Sequence, residues 1–231
     1  MMGGMAAMAM HIHMTEPGSL VQLMTWLSPA FPVGGFSYSS GLEYAAGDEW
    51  LPDGQALGGW LQTLLDHGSL RNDAVFVSLG WRHRHADNEL RETNELALAM
   101  AGSSGRHLEV TAQGNAFLEN IEFEIPALGS IDNVAYPVIL GATAGVAEID
   151  ETMTIAAHLN SAISNQIQAA IRLGIIGQTV GVKLLSKLQP EILRSSRDAS
   201  GSDFSDLGGC AVLSEIAGMN QEIMKTRLFR S

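Results

Sequence analysis

Cysteine is nearly absent from this sequence of 231 residues, which contains Cys210 and no other. A lone cysteine excludes an internal disulfide and any metal knuckle built from paired cysteines. Positive charge is also scarce, since 13 Lys and Arg face 25 Asp and Glu and the net charge is −12. Nucleic acids and anionic membrane surfaces attract a cationic excess, so neither is expected as a partner. Few thiols are typical of a reducing compartment, and we expect a cytoplasmic protein.

Long apolar runs are missing as well. The longest uncharged one, residues 133–147, stays below the roughly 18–20 residues that a transmembrane helix requires, and Pro137, Gly141 and Gly145 interrupt it. Residues 1–14 contain no Lys or Arg, so the basic segment that opens a secretory signal is absent. We therefore expect neither a membrane anchor nor secretion.

Helical periodicity dominates what the sequence does contain. Hydrophobic residues make up 46% of the chain and charged residues 16%, a balance that supports a sizeable core. Asp53 is placed to cap a helix in which Leu57, Leu61 and Leu64 share one face. Residues 150–173 continue the same kind of pattern over about six turns. No alternating pattern predicts a strand.

Glycines, prolines and polar residues divide the chain into further helices. We predict a short helix capped by Ser19, a helix opened by Asn72 or Asp73, helices over residues 89–100, 107–121 and 178–188, a short helix begun by Pro190, a loop over residues 194–207 and a last helix from about Gly208. Residues 1–18 have no period and are predicted to be a disordered leader. The prediction is an all-α fold, a single globular domain of about nine or ten helices over residues 19–231.

Motifs for catalysis or metal binding are absent or incomplete. No G-x-x-x-x-G-K-[ST] string is present, so we expect no nucleotide hydrolysis by this chain alone. Residues 35–39 lack the final glycine of the serine-hydrolase motif G-x-S-x-G. A helical hydrolase that uses Ser39 is one alternative for this serine-rich loop. The other alternative is that the loop hydroxyls cap the next helix. The paired histidines are His11 with His13 and His83 with His85. His83 and His85 lie two apart on a predicted helix and point in different directions. His11 and His13 lie in the predicted leader, where a metal pair is the alternative to two solvated histidines. We predict no metal and no cofactor.

An unusually rigid loop follows the first predicted helix. Residues 27–43 read LSPAFPVGGFSYSSGLE, with two prolines, three glycines and no charge before Glu43. Proline fixes φ and also restricts the residue before it, whereas glycine permits turns that a side chain would block. We predict that the loop presents a partner-binding edge through Pro32, Tyr38, Ser39 and Glu43. The alternative for Tyr38 is an inward-facing ring.

The last residues form a second unusual segment. Lys225, Arg227 and Arg230 place three cations at the end of an acidic chain, with Leu228 and Phe229 between them. Because arginine and aromatic side chains dominate interface hot spots, we predict a free terminus that inserts Phe229 into an apolar pocket of a partner. The residues assigned to partner binding here are Arg227, Leu228, Phe229, Arg230 and Ser231. The alternative is a tail that packs back onto its own body.

Both segments resemble signatures of one protein family. Residues 28–43 are similar to the S-P-A-x-P-x-G-x-F-S-Y-S-x-G-L-E string of the urease accessory protein family UreF, and residues 227–231 are similar to its R-L-F-R-S ending. Shorter matches lie at residues 90–92, 105–106, 113–114, 136–138 and 172–178. The resemblance spans residues 19–231 but breaks at residues 220–225, where Glu222 alone fits the family's pattern.

The resemblance implies a function as well as a fold. UreF-like proteins are all-α, dimeric and not enzymes on their own. They assemble with the accessory protein UreD, also called UreH, and with the GTP-binding protein UreG, and the assembly delivers nickel to apo-urease. For this chain the resemblance therefore implies a homodimeric scaffold or co-chaperone with a UreD/UreH-like protein, a UreG-like GTPase and apo-urease as partners. The alternative is a GTPase-activating protein that places an arginine in the nucleotide site of the GTPase.

Overall fold

The computed structural model describes residues 16–231, apart from the side chain of Glu16. The helices are α1 (Glu16–Trp26), α2 (Leu42–Gly47), α3 (Gly54–His67), α4 (Ser69–His83), α5 (Asp87–Ala99), α6 (Ser104–Asn120), α7 (Pro126–Gly129), α8 (Tyr136–Val146), α9 (Glu151–Arg172), α10 (Gln178–Ala199) and α11 (Val212–Glu222). Two short 3-10 turns complete the regular structure of the described residues, which contain no strand.

The predicted all-α fold is confirmed. Ten of the helices have six residues or more, and α7 is a single turn. Most of the predicted disordered leader, with His11 and His13, lies outside the described residues, whereas positions 16–18 form the first turn of α1. Among the helices of residues 16–231, none combines the length and the hydropathy that a bilayer span would need.

Local signals begin two helices where the sequence predicts them. Asp53 caps α3, and its Oδ1 atom accepts the N–H groups of Gln55 at 2.8 Å and Ala56 at 2.9 Å. Asp150 caps α9 in the same way, through the N–H of Met153 at 2.7 Å. Each cap satisfies amide groups that the first turn of a helix leaves without a carbonyl partner. Both predicted starts are therefore confirmed.

Two other predicted caps are wrong. Ser19 lies inside α1, and both Asn72 and Asp73 lie inside α4. In α4, both side chains bond residues that are distant in the sequence: Asn72 accepts the N–H of Gly208 at 3.1 Å, and Asp73 pairs with Arg106. Because these side chains bond other parts of the chain, they do not cap α4, and the prediction of a cap from residue type fails here.

A proline inside α10 does not end the helix. The predicted short helix from Pro190 is wrong, and the predicted loop is wrong over residues 194–199, because α10 continues to Ala199. Residues 200–207 lie outside the α-helices, as predicted. Pro190 lacks the N–H that a helix interior uses. The buried side chains of Leu188 and Ile192 on the inner face of α10 hold that turn against the core and offset the missing bond.

The centre of the fold is α8, of which every residue but the last is buried. The long uncharged run in the sequence is therefore a core helix. Two glycines allow the backbones of α4 and α8 to approach closely: a Cβ at Gly80 would collide with the carbonyl oxygen of Val138, and one at Gly141 with that of Val77. Helices α4, α6 and α9 pack around α8, and α6 and α9 support the surface described next.

Candidate partner-binding surface

The loop between α1 and α2 turns at two glycines. Gly34 has a φ of +73° and precedes the 3-10 turn Gly35–Ser37. Gly41 has a φ of +86° and precedes α2, and a Cβ there would lie 2.9 Å from the amide nitrogen of Gly218 in α11. Residues that carry a side chain rarely adopt a positive φ, so both positions favour glycine. The second turn brings the loop against the C-terminal helix.

The C-terminal tail folds back along this loop. The N–H of Ser39 donates to the main-chain oxygen of Ser231 at 2.6 Å, and the N–H of Arg230 donates to the carbonyl oxygen of Ser37 at 2.8 Å. The Ser39 hydroxyl also donates to the main-chain oxygen of Ser231 at 2.7 Å, across 192 positions of sequence. We call the contact between residues 37–43 and residues 226–231 the loop–tail junction. The predicted free terminus is therefore wrong, and the alternative, a tail packed on its own body, is confirmed.

Glu43 holds the backbone of the tail. Its carboxylate accepts the N–H of Leu228 at 2.5 Å and the N–H of Phe229 at 2.9 Å. Gln221 adds a longer bond from Nε2 at 3.4 Å. Buried backbone groups need a partner, and a charged acceptor makes the stronger bond. Glu43 thus supplies the partner that a helix or a sheet would supply elsewhere.

Ser39 is a structural hydroxyl in this junction. Its hydroxyl bonds the main-chain oxygen of Ser231 and the side-chain amide of Gln221, and its Oγ accepts the N–H of Glu43 at 3.4 Å. The N-cap of α2 is Gly41 and no side chain caps this helix, so the predicted capping by a loop hydroxyl is wrong. No imidazole is among the hydrogen-bond partners of Ser39 within residues 16–231, so the described part of the chain does not support the hydrolase alternative.

The segment at residues 220–225, where the resemblance breaks, supplies contacts that the sequence did not predict. Gln221 Nε2 donates to the Ser39 hydroxyl at 3.0 Å. Glu222 accepts the N–H of Ser104, the first residue of α6, at 2.6 Å. The match of Glu222 to the family pattern is the one sequence signal that points to these contacts. These two side chains tie α11 to the loop on one side and to α6 on the other.

Side chains of the tail point in opposite directions. Phe229 is 3% exposed, and its ring centre lies 4.3 Å from the guanidinium carbon of Arg172 in α9, a cation–π contact. Leu228 is 65% exposed, and Arg227 and Arg230 are exposed as well. The predicted insertion of Phe229 into a partner is therefore corrected: Phe229 is the internal anchor of the tail, and Leu228 is the apolar side chain that faces outward.

The loop residues named from the sequence also divide into exposed and buried groups. Pro32 is exposed, whereas Tyr38, Ser39 and Glu43 are buried, so the inward-facing alternative for Tyr38 is confirmed. Burial raises the pKa of the Tyr38 hydroxyl, an effect that the nearby Arg230 guanidinium, hydrogen-bonded to it, partly offsets. A cation of the tail therefore lies beside the phenol of the loop within the junction.

A charged cluster lies beneath the junction. Arg106 of α6 pairs with Asp73 of α4 and reaches Glu109 at 3.2 Å. Glu109 in turn accepts hydrogen bonds from the hydroxyls of Ser40 at 2.9 Å and Ser231 at 3.4 Å. Burial of Asp73 is the largest single effect and opposes its charge, but Arg106 and His158 together outweigh burial and lower the pKa of that carboxyl. The cluster therefore connects both the loop and the tail of the junction to the core.

The sequence signal for this cluster is small. It consists of the family match at residues 105–106, which names Arg106 without showing what it contacts. Asp73 reads as a helix cap, and Glu109 lies unremarked inside a helix. Only the approach of α4 to α6 brings the three side chains together, so spacing along the chain could not have predicted the group.

The histidines of the described residues do not converge. Within residues 16–231 no three His, Cys, Asp or Glu side chains could share a metal ion. His83 bonds the hydroxyl of Thr93 through Nδ1 at 2.9 Å. His158 is buried in α9, with Nε2 lying 3.9 Å from Oδ2 of Asp73.

Named proteins resemble the chain over most of its length. A family model for UreF matches residues 51–189. The urease accessory protein UreF of Allorhizobium ampelinum is 42% identical over 221 residues, which is 92% of this chain and 96% of that protein. The UreF of Mesorhizobium japonicum is 44% identical, with 94% of this chain and 99% of that protein covered. For the UreF of Agrobacterium fabrum the identity is 43%, and the coverage is 92% and 96%.

The fold and the loop–tail junction define an all-α, single-domain protein in which the two most unusual segments of the sequence join into one surface. The family match covers more than half of the chain, and the relatives align with nearly all of it. The chain belongs to the UreF family, and the relatives named here are urease accessory proteins. The resemblance carried by residues 28–43 and 227–231 is therefore confirmed.

Proposed function

We propose that this chain is a homodimeric scaffold for urease maturation in the cytoplasm and is not an enzyme by itself. In this proposal it assembles with a UreD/UreH-like accessory protein and a UreG-like GTPase, and the assembly promotes nickel insertion into apo-urease. Nickel is the cargo of the assembly rather than a cofactor of this chain. The family of the chain and the names of its relatives support the connection with urease.

The observation that carries the proposal is the outer face of the loop–tail junction. Leu228 is exposed between the exposed side chains of Arg227 and Arg230, and Ile223, just after α11, is 79% exposed. These apolar and cationic groups stand on a chain with a net charge of −12. Arginine beside solvated apolar side chains is typical of a surface that a protein partner covers. A partner with carboxylates around an apolar pocket would complement it.

The nine residues assigned from the sequence take two roles in this proposal. Direct contact with a partner belongs to the exposed residues, which are Pro32, Arg227, Leu228 and Arg230. Positioning of that surface belongs to the buried residues, which are Tyr38, Ser39, Glu43, Phe229 and Ser231. Substitution of the first group should change binding alone, whereas substitution of the second group should loosen the tail as well.

Leu228→Asp tests the contact role. Because Leu228 is exposed, the variant should melt like the wild-type protein, yet its affinity for the purified UreD/UreH-like protein should fall at least about 20-fold, as for a hot spot. Val182→Asp is the matched control, since Val182 is 58% exposed on α10. Isothermal titration of both variants gives the comparison. Wild-type affinity in the Leu228 variant would remove the junction from the interface.

A cellular experiment tests the urease connection. Deleting residues 225–231 removes the tail partners of Ser39 and Glu43 and the whole cationic face. Urease isolated from cells that express the truncated chain should contain little nickel, whereas cells with the full chain should yield nickel-loaded urease. Nickel per active site is measured by elemental analysis. Full nickel loading with the truncated chain would contradict the proposed scaffold.

A second candidate function is direct activation of the GTPase. Its support is the exposure of Arg227 and Arg230, because an arginine that enters a nucleotide site in trans can accelerate hydrolysis on the order of 10³-fold or more. Arg227→Lys separates the two functions: a scaffold keeps most of its effect, whereas an activating arginine loses nearly all of it. Single-turnover GTP hydrolysis by the purified UreG-like protein, with and without the variant, is the measurement.

A further inference from the structure

Ser40 has an uncommon backbone conformation within the loop–tail junction. Its φ is +51°, in the left-handed region that residues with a side chain rarely adopt. Gly41 follows with a φ of +86°, so two successive left-handed residues turn the loop into α2. Such a conformation persists only where the surrounding structure holds it.

The other left-handed side-chain residues of the described chain have an ordinary explanation. Within residues 16–231 they are Glu49 and Glu148. Glu49 follows α2 and Glu148 follows α8, and in each case the N–H of the next residue donates to a carbonyl oxygen five positions before it, at 2.9 Å. A left-handed residue commonly ends a helix in this way. Ser40 does not follow an α-helix, so its conformation requires a different support.

Glu109 of α6 provides that support. The Ser40 hydroxyl lies 2.9 Å from one carboxylate oxygen of Glu109 and 3.2 Å from the other. The same carboxylate accepts a longer bond from the Ser231 hydroxyl at 3.4 Å. Glu109 is buried, and hydrogen bonds to a charged acceptor are the stronger ones. One carboxylate therefore fixes the end of the loop and the end of the tail.

Arg106 in turn holds Glu109. Its Nη1 atom lies 3.2 Å from Oε1 of Glu109, and its Nη2 atom pairs with Asp73. Burial opposes the charge of the guanidinium, but the two carboxylates outweigh it and raise the pKa of Arg106 above its usual range. A planar guanidinium can bridge two carboxylates in a fixed geometry, which an ammonium group cannot do. Arg106 thus sets the position of the Glu109 carboxylate.

The two carboxylates depend on Arg106 to different degrees. Asp73 has a second partner that can carry a positive charge, since Nε2 of His158 lies 3.9 Å away. Glu109 has neutral donors besides Arg106, namely the two hydroxyls and the side-chain amide of Gln113 at 3.5 Å. A buried carboxylate without a cation is strongly unfavourable. Loss of Arg106 should therefore turn Glu109 toward solvent and release the junction.

Gly105 leaves room for the last residue of the chain. A Cβ at Gly105 would lie only 3.1 Å from the Cβ of Ser231, so a larger residue would displace the tail from α6. We call Gly105, Arg106 and Glu109 the α6 seat. The seat gives a structural reason for the family match at residues 105–106.

We propose that Arg106 is a positioning residue of the α6 seat: through Glu109 it keeps Ser40 left-handed and Ser231 in place, and so it sets the geometry of the loop–tail junction without contacting a partner. The consequence for partner binding rests on the function proposed above. The geometry of the junction in the free chain does not, and it is tested first.

Hydrogen exchange of Arg106→Gln, Glu109→Gln and the double variant tests the order of action. The amides of Ser39 and Arg230 donate across the junction, and their exchange should be about 10-fold faster in each single variant. The double variant should exchange no faster than either, because both changes act through one carboxylate. Unchanged exchange in the single variants, or effects that multiply in the double variant, would overturn the proposal.

Two further variants guard against general destabilisation. Arg106→Lys retains the charge if Arg106→Gln does not fold, and its effect on the same amides should be smaller but present. Ser78→Ala removes a buried hydroxyl of α4 that donates to Glu151 at 2.5 Å. It should lower the melting temperature and leave the exchange of the junction amides unchanged. Equal acceleration in Ser78→Ala and Glu109→Gln would contradict a role specific to the junction.

Ser40→Gly tests whether Glu109 acts by holding the left-handed residue. Glycine adopts a positive φ readily, so in this background Glu109→Gln should change the exchange of the Ser39 amide by less than about 2-fold. Glu49→Gly is the matched control, since it relieves a positive φ of 61° at an exposed position outside the seat. It should leave the full effect of Glu109→Gln in place. Suppression by both glycine variants, or by neither, would show that the conformation of Ser40 is not what Glu109 maintains.

Affinity for the purified UreD/UreH-like protein separates this inference from the proposed function. Glu109→Gln should bind about 10-fold more weakly, and adding Ser40→Gly should restore most of that loss. If exchange responds as expected but both Glu109→Gln and Leu228→Asp keep wild-type affinity, the positioning role stands and the proposed function fails. If Leu228→Asp weakens binding and exchange does not respond to the seat variants, the function stands and the positioning role is wrong.

Discussion

Replacing Glu43 with alanine is the sharpest perturbation of the loop–tail junction. The change removes the acceptor for the backbone N–H groups of Leu228 and Phe229. Each hydrogen bond to a charged group contributes roughly 1.5–3 kcal/mol, so closure of the tail should lose on the order of 3 kcal/mol. The loss acts on local opening of the tail, whose open fraction should rise on the order of 100-fold.

Hydrogen exchange measures this opening directly. The amides of Leu228 and Phe229 should lose protection by the factor given above, while amides in α8 keep theirs. Glu43→Gln retains the shape of the side chain and a neutral acceptor, so its effect should be about 10-fold. Glu119→Ala, which removes an exposed carboxylate near the end of α6, is the control and should change neither amide.

Two results would refute the reasoning. Unchanged protection of the tail amides in Glu43→Ala would mean that the carboxylate does not hold the tail. Protection lost equally throughout the chain would mean that Glu43 stabilises the whole fold rather than the junction. With the expected result, partner affinity should decrease by the factor by which the closed tail is depopulated, because only the closed tail presents Leu228 and the arginines together.

Three further predictions concern the fold. Gly141→Ala should destabilise the protein by roughly 2 kcal/mol or more, because the methyl group would collide with a carbonyl oxygen of α4. Gly59→Ala, which adds a methyl group in open space on α3, should stabilise the protein by about 0.5–1 kcal/mol. Thermal melting compares the two variants. Pro190→Ala should raise the free energy of unfolding by about 1 kcal/mol or more, since it restores a helix donor, and lost helicity in circular dichroism would contradict a continuous α10. The pKa of Asp73 lies below its unfolded value of 3.8, so its stabilisation is present above about pH 4 and is lost as the pH falls through the native pKa. Urea unfolding of Arg106→Gln between about pH 2 and 7 should show a weaker loss of stability in acid than the wild type.

Features that depend on neighbouring residues could be predicted from the sequence. Asp53 and Asp150 cap their helices because a carboxylate reaches amides two or three positions ahead, whatever the rest of the chain does. The apolar stripe that begins at Leu57 predicts that one face of α3 is buried. This prediction needs no knowledge of the residues that pack against that face. The rigid loop and the cationic tail were recognisable as unusual for the same reason, since their composition is local.

Tertiary structure decided how these segments are used. Pro190 reads as a helix start, but packing against the core carries α10 through it. Phe229 reads as the hot spot of a free end, but Arg172 and Glu43 hold the tail so that Phe229 is inside and Leu228 outside. Local spacing cannot encode this choice, because a bond between positions 192 residues apart forms only after the helices between them have packed.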